Sequence, residues 1–467
     1  ITVTRTPSTP MVITQANSPT GVDTCSRDYV QLTTNQSAVF SPVAGLYTDA
    51  TLTTPYTGGG VTTVFAFPDG SQVYTATGVA GSCSVLATVT VANYKKVFIG
   101  TASGAAWEID ENWRPANIPS INRCVYIPTG KSARIGSSDV AHAKRVIVES
   151  GAGLTIDSNA DLSLSERLTN QDPSGDNVVI ESDGILLQTT NTANLGSITM
   201  KRKVHLSAER KQYNYLISPV NGQKMKYIFG TTGTGAPYVQ YVLRLNEPTN
   251  LFVNDGDGIY VKGKGYSVKE PNNAYTGDEA IFKGVPANGD FDYPLSYSAT
   301  NRGYNLTGNP YPSNMDIYEL YQESKNPDDD SYYIDSNIRF WDSEANNIFQ
   351  QYGGNYQGYA YAVFNAASGS HGTGTPAPGG NEMPATGKTP NHIVKTGQGF
   401  LVRANGENMK LLFRNGAQRT LDQSGSIFFG KNKKLIEDDR FWLEYSTASG
   451  LTISNAIVYF AAGKNEF

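Results

Sequence analysis

The sequence predicts an all-β chain, and three observations carry that expectation. Its composition is turn-rich and weakly charged, with 39% hydrophobic and only 17% charged residues, 47 glycines and 28 tyrosines. Apolar residues recur in strand-length runs bounded by Gly, Pro, Asn and Asp clusters, which is how short strands joined by turns read in sequence. Only residues 312–324 have helical character, with Ile317, Leu320 and Tyr321 at helical spacing. At 467 residues the chain is long enough for about three domains, each burying its own core. A net charge of −5 without a basic or acidic block gives no reason to expect nucleic acid or an anionic membrane as partner. The apolar runs fall far short of the ~20 residues a spanning helix needs, so no transmembrane segment is expected.

The opening Ile1-Thr2-Val3-Thr4 reads as the last strand of a preceding unit, and residues 1–11 are assigned to that strand and a linker. The chain is therefore expected to be an internal piece of a longer protein. Residues 12–95 follow as alternating segments, with strands at 29–32, 38–40, 63–67, 72–77 and 85–91. About seven strands in about 80 residues argue an immunoglobulin-like sandwich. Cys25 and Cys83 fall inside this unit and Cys124 outside it. A Cys25–Cys83 disulfide is the expectation in an oxidising compartment, with Cys124 a buried thiol; three buried thiols are the alternative.

Residues 96–206 change pattern. Val146/Val148, Leu154/Ile156 and Leu162/Leu164 are apolar pairs at a regular interval, followed by Val178/Ile180, Ile185/Leu187 and Ile198/Met200. Short pairs at even spacing predict a β-solenoid-like module whose turns bury apolar stripes on one another; a sandwich of short hairpins is the alternative. Trp107 and Trp113 stand at its entrance, as a cap on the open end or as a sugar-stacking platform.

Residues 207–467 form the largest unit, predicted to be a β-sandwich or jelly roll with one short helix. Its organising stretch is Asn309-Pro310-Tyr311-Pro312. Two prolines fix φ twice and remove two donors, so neither a helix nor a central strand can pass through, and the stretch reads as a rigid corner. Gly263-Lys264-Gly265-Tyr266 and Gly397-Gln398-Gly399-Phe400 flank it at a distance, as strands whose glycines allow close backbone packing. Residues 366–390 read as an exposed Gly/Pro/Thr/Ser insertion.

The ordered set GKGYSV, GYNLTGNPYPS, NIRFWD, GQGFLVR and RFWLEY resembles the C-terminal surface modules of Bacteroidetes (Flavobacterium-like) proteins exported by the type IX secretion system. ENWRPANIPSINRCVYIP with GAGLTIDSNADLSL resembles the module that commonly precedes them, and LYTDATLTTPY to CSVLATVTV resembles their immunoglobulin-like repeats. The resemblance implies a modular, all-β, secreted or surface-held protein of adhesin type. It implies passage through outer-membrane components of the secretion system, although the chain stops before any sorting domain. Glycans and other surface proteins are the partners it suggests. The function expected is a non-catalytic structural and adhesive region; the alternatives are a carbohydrate-binding accessory region of a secreted enzyme, or a subunit of an extracellular filament or secretion complex.

Catalytic signatures are not expected. His142, His205, His371 and His392 stand in no nucleophile or metalloprotease setting, and Asp290/Asp292 cannot be opposed from sequence as a glycosidase pair. Asp255 and Asp257, in Asn254-Asp255-Gly256-Asp257-Gly258, are candidate calcium ligands because a tight Gly turn can converge carboxylates on a hard cation. The loop lacks the full spacing, and a plain turn is the alternative. Apart from that calcium, no cofactor is expected. Tyr352, Tyr356, Tyr359 and Tyr361 form an aromatic row that could stack on sugars or, alternatively, pack in the core.

Overall fold

The computed structural model describes residues 10–16, 25, 29–79, 85–207, 210–300, 303–345, 360–379, 386–429, 440–446 and 452–459. All-β holds: among these residues the only α-helix is seven residues long. The N-terminal unit is a six-stranded antiparallel sheet. It comprises β1 (Ile13–Ala16), β2 (Val30–Ser41), β3 (Leu46–Tyr47), β4 (Val61–Ala66), β5 (Gly70–Gly78) and β6 (Leu86–Asn93), ordered β3-β4-β2-β5-β6 with β1 on β2. Val30, Leu32, Phe40, Val64, Tyr74 and Val91 form its core.

β6 runs through Tyr94 straight into a β-solenoid. Its first turn holds β7 (Lys95–Phe98), β8 (Ala105–Ala106) and the antiparallel β9 (Trp113–Arg114). The second turn is β10 (Cys124–Ile127), β11 (Ser132–Ile135) and β12 (Val140–Ala143). The third is β13 (Arg145–Val148), β14 (Gly153–Ile156) and β15 (Asp161–Leu164), and the fourth is β16 (Leu168–Asn170), β17 (Val178–Ile180) and β18 (Ile185–Gln188). Each strand pairs in parallel with its counterpart one turn on, as Val125 with Val146, Leu154 with Val178 and Leu162 with Leu186. The regular interval in the sequence is thus the length of one side, and three sides close a turn. Inward residues alternate along each strand, so Val146/Val148, Leu154/Ile156 and Leu162/Leu164 are buried as stacked stripes. Trp107 and Trp113 are buried edge-to-face, 4.7 Å apart, and close the first turn, with Trp113 Nε1 donating to Trp107 O at 2.7 Å.

The fifth turn contributes β19 (Ile198–Lys203). The C-terminal lobe then adds β20 (Tyr213–Leu216), β21 (Val220–Asn221), β22 (Val242–Asn246), β23 (Leu251–Asn254), β24 (Tyr266–Lys269) and β25 (Glu279–Pro286). β25 pairs antiparallel with β19, Met200 opposite Phe282, so one seven-stranded sheet runs β21-β25-β19-β17-β14-β11-β8 across residues 206 and 207. One hydrophobic core likewise reaches from Phe98 to Phe282 and Phe429. The antiparallel strand covers the last solenoid edge, which would otherwise present unpaired backbone groups.

The rest of the lobe comprises β26 (Phe291–Pro294), β27 (Tyr304–Gly308), β28 (Asn314–Asp316), α1 (Ile317–Glu323), β29 (Asn337–Trp341), β30 (Tyr361–Asn365), β31 (Thr373–Thr375), β32 (Ile393–Val394), β33 (Gly399–Arg403), β34 (Lys410–Phe413), β35 (Arg419–Thr420), β36 (Arg440–Ser446) and β37 (Thr452–Tyr459). Asn309–Pro312 turns the chain between β27 and β28, as a two-proline corner requires. Asp316 caps α1, its carboxylate accepting from the N–H groups of Tyr318 and Glu319. The glycines flanking the corner allow close approach. A Cβ on Gly265 would lie 2.5 Å from Thr307 O, and one on Gly399 would lie 2.8 Å from the Tyr215 carbonyl carbon.

The disulfide differs from the expectation. Cys25 is bonded to Cys124, the first residue of β10, with Cα atoms 5.4 Å apart; Cys83 lies outside the described residues. Assigning the bridge within one unit overlooked that the first solenoid turns pack directly on the N-terminal sheet. There the Tyr126 hydroxyl donates to the Cys25 carbonyl, and Asp69 pairs with Lys96 and Arg123, each at 3.0 Å. The bridge therefore clamps two units together. Buried Lys96 also donates to the carbonyls of Pro115, Ala116 and Asn117, at 3.0, 2.7 and 3.0 Å.

Candidate functional site

Parallel in-register stacking places equivalent positions of successive turns above one another, so outward side chains form ladders on the solenoid faces. On the face built by β8, β11, β14 and β17 these are hydroxyl and charged groups. Ser103, Ser132, Arg134, Ser137, Asp157 and Ser158 line an open groove of about 660 Å³, with Glu181 at one side. Arg134 Nε donates to Asp157 Oδ2 at 2.8 Å, and one turn further Lys201 Nζ meets Glu181 Oε1 at 2.9 Å. Ser137 Oγ donates to Ser158 O at 2.5 Å. The groove thus offers a row of hydroxyls and a mixed-sign charge ladder, which suits an extended polar ligand better than an apolar one.

Glu108 and Asp139 adjoin this face. Burial pushes the Glu108 carboxyl up to about 7; a backbone hydrogen bond opposes this, and the charge and hydrogen bonding of Asp139, with the charge of Asp157, reinforce it. Asp139 acts on Glu108 as a neighbouring like charge. Asp290 and Asp292 are not the opposed pair a glycosidase requires. Asp290 Oδ1 accepts from the Asn415 N–H at 2.7 Å, while Asp292 pairs with Lys410 and Arg414 at 2.6 and 2.7 Å.

The other sequence candidates fall elsewhere. Asp255 is paired with Lys264 at 2.7 Å and Arg244 at 3.2 Å, and Asp257 with Lys224 at 3.1 Å. A calcium ion would have to displace three cations, and the loop is instead a turn whose Asp257 and Gly258 carbonyls accept from Lys226 and Met225. Among the described residues no group of three or more His, Cys, Asp or Glu is arranged to hold a metal. Tyr352, Tyr356 and Tyr359 lie outside the described residues. Tyr361 is only 7% exposed, packs edge-to-face on Trp341 and shares a 2.6 Å hydroxyl hydrogen bond with Tyr215, so it belongs to the core rather than to a binding row. Among the histidines, His205 Nδ1 meets Glu344 and His392 Nδ1 meets Asp316, at 2.9 and 2.8 Å.

Sequence reasoning missed the junction between solenoid and lobe. Arg419, fully buried, stacks on the Tyr311 ring at 4.6 Å and donates to Ser313 Oγ at 2.9 Å, Asn288 Oδ1 at 2.5 Å, Asn415 Oδ1 at 3.1 Å and Leu186 O at 3.1 Å. Burial brings the guanidinium down to about 10, which leaves it charged at neutral pH; Tyr311 opposes that shift. The Leu186 N–H in turn donates to Pro312 O at 2.8 Å. The corner is therefore the point at which β18 is held. A second buried group lies nearby: Arg202 and Lys395 approach Asp183 at 2.9 and 3.6 Å, and Lys395 Nζ donates to Gln423 at 2.6 Å. Burial pushes Asp161 up to about 6, against the charge of Lys395. No sequence signal marks Arg419, because its partners are scattered along the chain.

Fold and site together define a modular all-β protein with a β-solenoid at its centre, locked to a C-terminal lobe. Residues 97–467 match the model of a family described as a domain of unknown function, DUF8693, and the chain belongs to that family. The match begins within β7, so solenoid and lobe are one family unit and the N-terminal sheet lies outside it. No curated protein matches the chain, and neither does any solved structure.

Proposed function

We propose that this chain is a non-catalytic structural and adhesive region of a large cell-surface or secreted protein exported by the type IX secretion system. In this reading the N-terminal sheet is an immunoglobulin-like spacer and the lobe a sandwich of jelly-roll type. The observation that supports it most is the way the units are joined. Cys25–Cys124 clamps sheet to solenoid, β19–β25 pairing carries one sheet from solenoid into lobe, and Arg419 fastens β18 to the corner. A body joined in this way holds an exposed surface at a fixed distance and orientation. The surface it presents is the groove around Arg134 and Asp157, whose hydroxyls and charges suit a hydroxyl-rich ligand such as a glycan.

Two measurements test this reading. In cells with an intact type IX system the protein should be removable by external protease or found in the medium, and in cells lacking the translocon it should remain inside. Binding of the purified chain to a glycan array should fall at least tenfold in the Arg134→Ala/Asp157→Ala variant. Retention inside the cell despite a working system would sink the address, and unchanged binding would sink the surface.

A further inference from the structure

In the C-terminal lobe a buried lysine faces a buried aspartate, beside a glutamate that touches the lysine. Asp342 follows directly on β29 and its side chain is 0% exposed; Lys388, ahead of β32, is 2% exposed. Lys388 Nζ lies 3.8 Å from Asp342 Oδ1 and in direct contact with Glu344 Oε2. The aspartate is held from two sides, Thr386 Oγ1 donating to Oδ2 and the Glu344 N–H donating to Oδ1 at 3.1 Å. His205 Nδ1, 2.9 Å from Oε1, holds the glutamate in turn. The Lys388 N–H donates to Thr386 Oγ1 at 3.2 Å, so the lysine and the hydroxyl that orients the aspartate are one local unit. The 3.8 Å separation is to Oδ1, and a near-attack arrangement brings Nζ within ~3–3.5 Å of Cγ, the carbon of that same carboxylate.

We propose that Lys388 and Asp342 are joined by an intramolecular amide bond, with Glu344 carrying the protons. Glu344 first takes a proton from the Lys388 ammonium, and the freed nitrogen lone pair attacks Cγ of Asp342, forming the C–N bond, while the bond from Cγ to Oδ1 breaks. Two of the three ammonium protons leave the nitrogen through the Glu344 carboxylate and end on the departing Oδ1, which leaves as water. Oδ2, held by Thr386, remains as the amide oxygen. Nothing is oxidised or reduced, and the groups present are sufficient. The reaction replaces a buried ion pair by a neutral amide, so the cost of keeping two charges out of water disappears with it. Glu344, the more exposed of the two acids and already bonded to His205, can exchange protons with solvent, whereas Asp342 is fixed and shielded. The amide ties the end of β29 to the segment entering β32, closing the chain between them covalently within the lobe.

The experiment is the intact mass of the purified full chain after reduction of its disulfide, followed by peptide mapping. The expected result is a mass one water below that of the sequence, with a branched peptide joining Lys388 to Asp342. The Lys388→Arg and Glu344→Gln variants should keep the full sequence mass. A wild-type chain at full mass, a water loss mapped to another site, or a branch to Glu344 would each overturn the assignment. A Glu344→Gln chain that still loses the water would overturn the role given to Glu344. Because the wild-type mass is decisive on its own, a variant that fails to fold does not affect the outcome.

Discussion

Between residues 95 and 203 the inward positions are mostly Leu, Ile, Val and Ala, and each turn repeats the last; around the Asn309–Pro312 corner nothing repeats, and Asn309, Ser313, Asn314 and Arg419 are all buried. The two regions adjoin one another, yet different physics holds them. In the solenoid, stability comes from apolar stripes stacked by a parallel ladder, and each turn depends mainly on its neighbours. At the corner it comes from polar atoms that must all find partners: Asn309 Nδ2 donates to Ser313 O and Val394 O at 2.7 and 3.1 Å, and Tyr311 OH donates to Gly289 O at 3.0 Å. The contrast teaches that a repeat distributes stability, whereas a polar hub concentrates it in a few residues whose loss leaves several buried groups unpaired.

Four substitutions at three positions would break or sharpen that contrast. The largest effect is expected at the hub. Arg419→Ala leaves the Leu186 carbonyl, Ser313 and Asn288 without their donor and opens a void under Tyr311, for a loss of about 4 kcal/mol by urea unfolding. Arg419→Lys should not rescue it, since one ammonium cannot reproduce a planar fork. In the solenoid, Leu154→Ala should cost about 3 kcal/mol, the usual price of a buried cavity, because the stripes above and below remain. If Leu154→Ala proves the costlier of the two, the hub does not concentrate stability as argued.

The smallest effect is a pH dependence on the solenoid face. Glu108 has its carboxyl raised from an ordinary 4.5 to about 7. The unfolded chain therefore releases this proton first, and its contribution to stability, complete below the ordinary value, is lost as pH rises from 4.5 through 7. Glu108→Gln should raise the melting temperature by a few degrees at pH 8 and leave it nearly unchanged at pH 4. An equal change at both values would show that the carboxyl does not titrate across that window.

The solenoid was legible because its signal is local. Val146/Val148, Leu154/Ile156 and Leu162/Leu164 declare their spacing within a single turn, and the two prolines at 310 and 312 enforce a corner whatever surrounds them. The helix at 317–323 was visible for the same reason, in its spacing after that corner. The groove was not legible: only the Leu154/Ile156 strand that carries Thr155 was read, β11 with Ser132 and Arg134 was not, and the stacking of these residues into one row depends on a register that no single turn specifies. Tyr361 shows the opposite failure. A run of tyrosines looks the same in sequence whether the rings face water or a core, and only the packing of Trp341 and Tyr215 against it decides.

The sequence by itself determined the all-β class, the repeating middle and the rigid corner, since each follows from residues close together in the chain. Tertiary structure alone decided that Cys25 meets Cys124, that β25 extends the solenoid sheet, that Arg419 reaches Leu186, and that Lys388 comes to rest beside Asp342. These are single contacts between distant segments, and their partners are chosen by how whole units pack. A local pattern constrains only the backbone that carries it, so it holds no record of them.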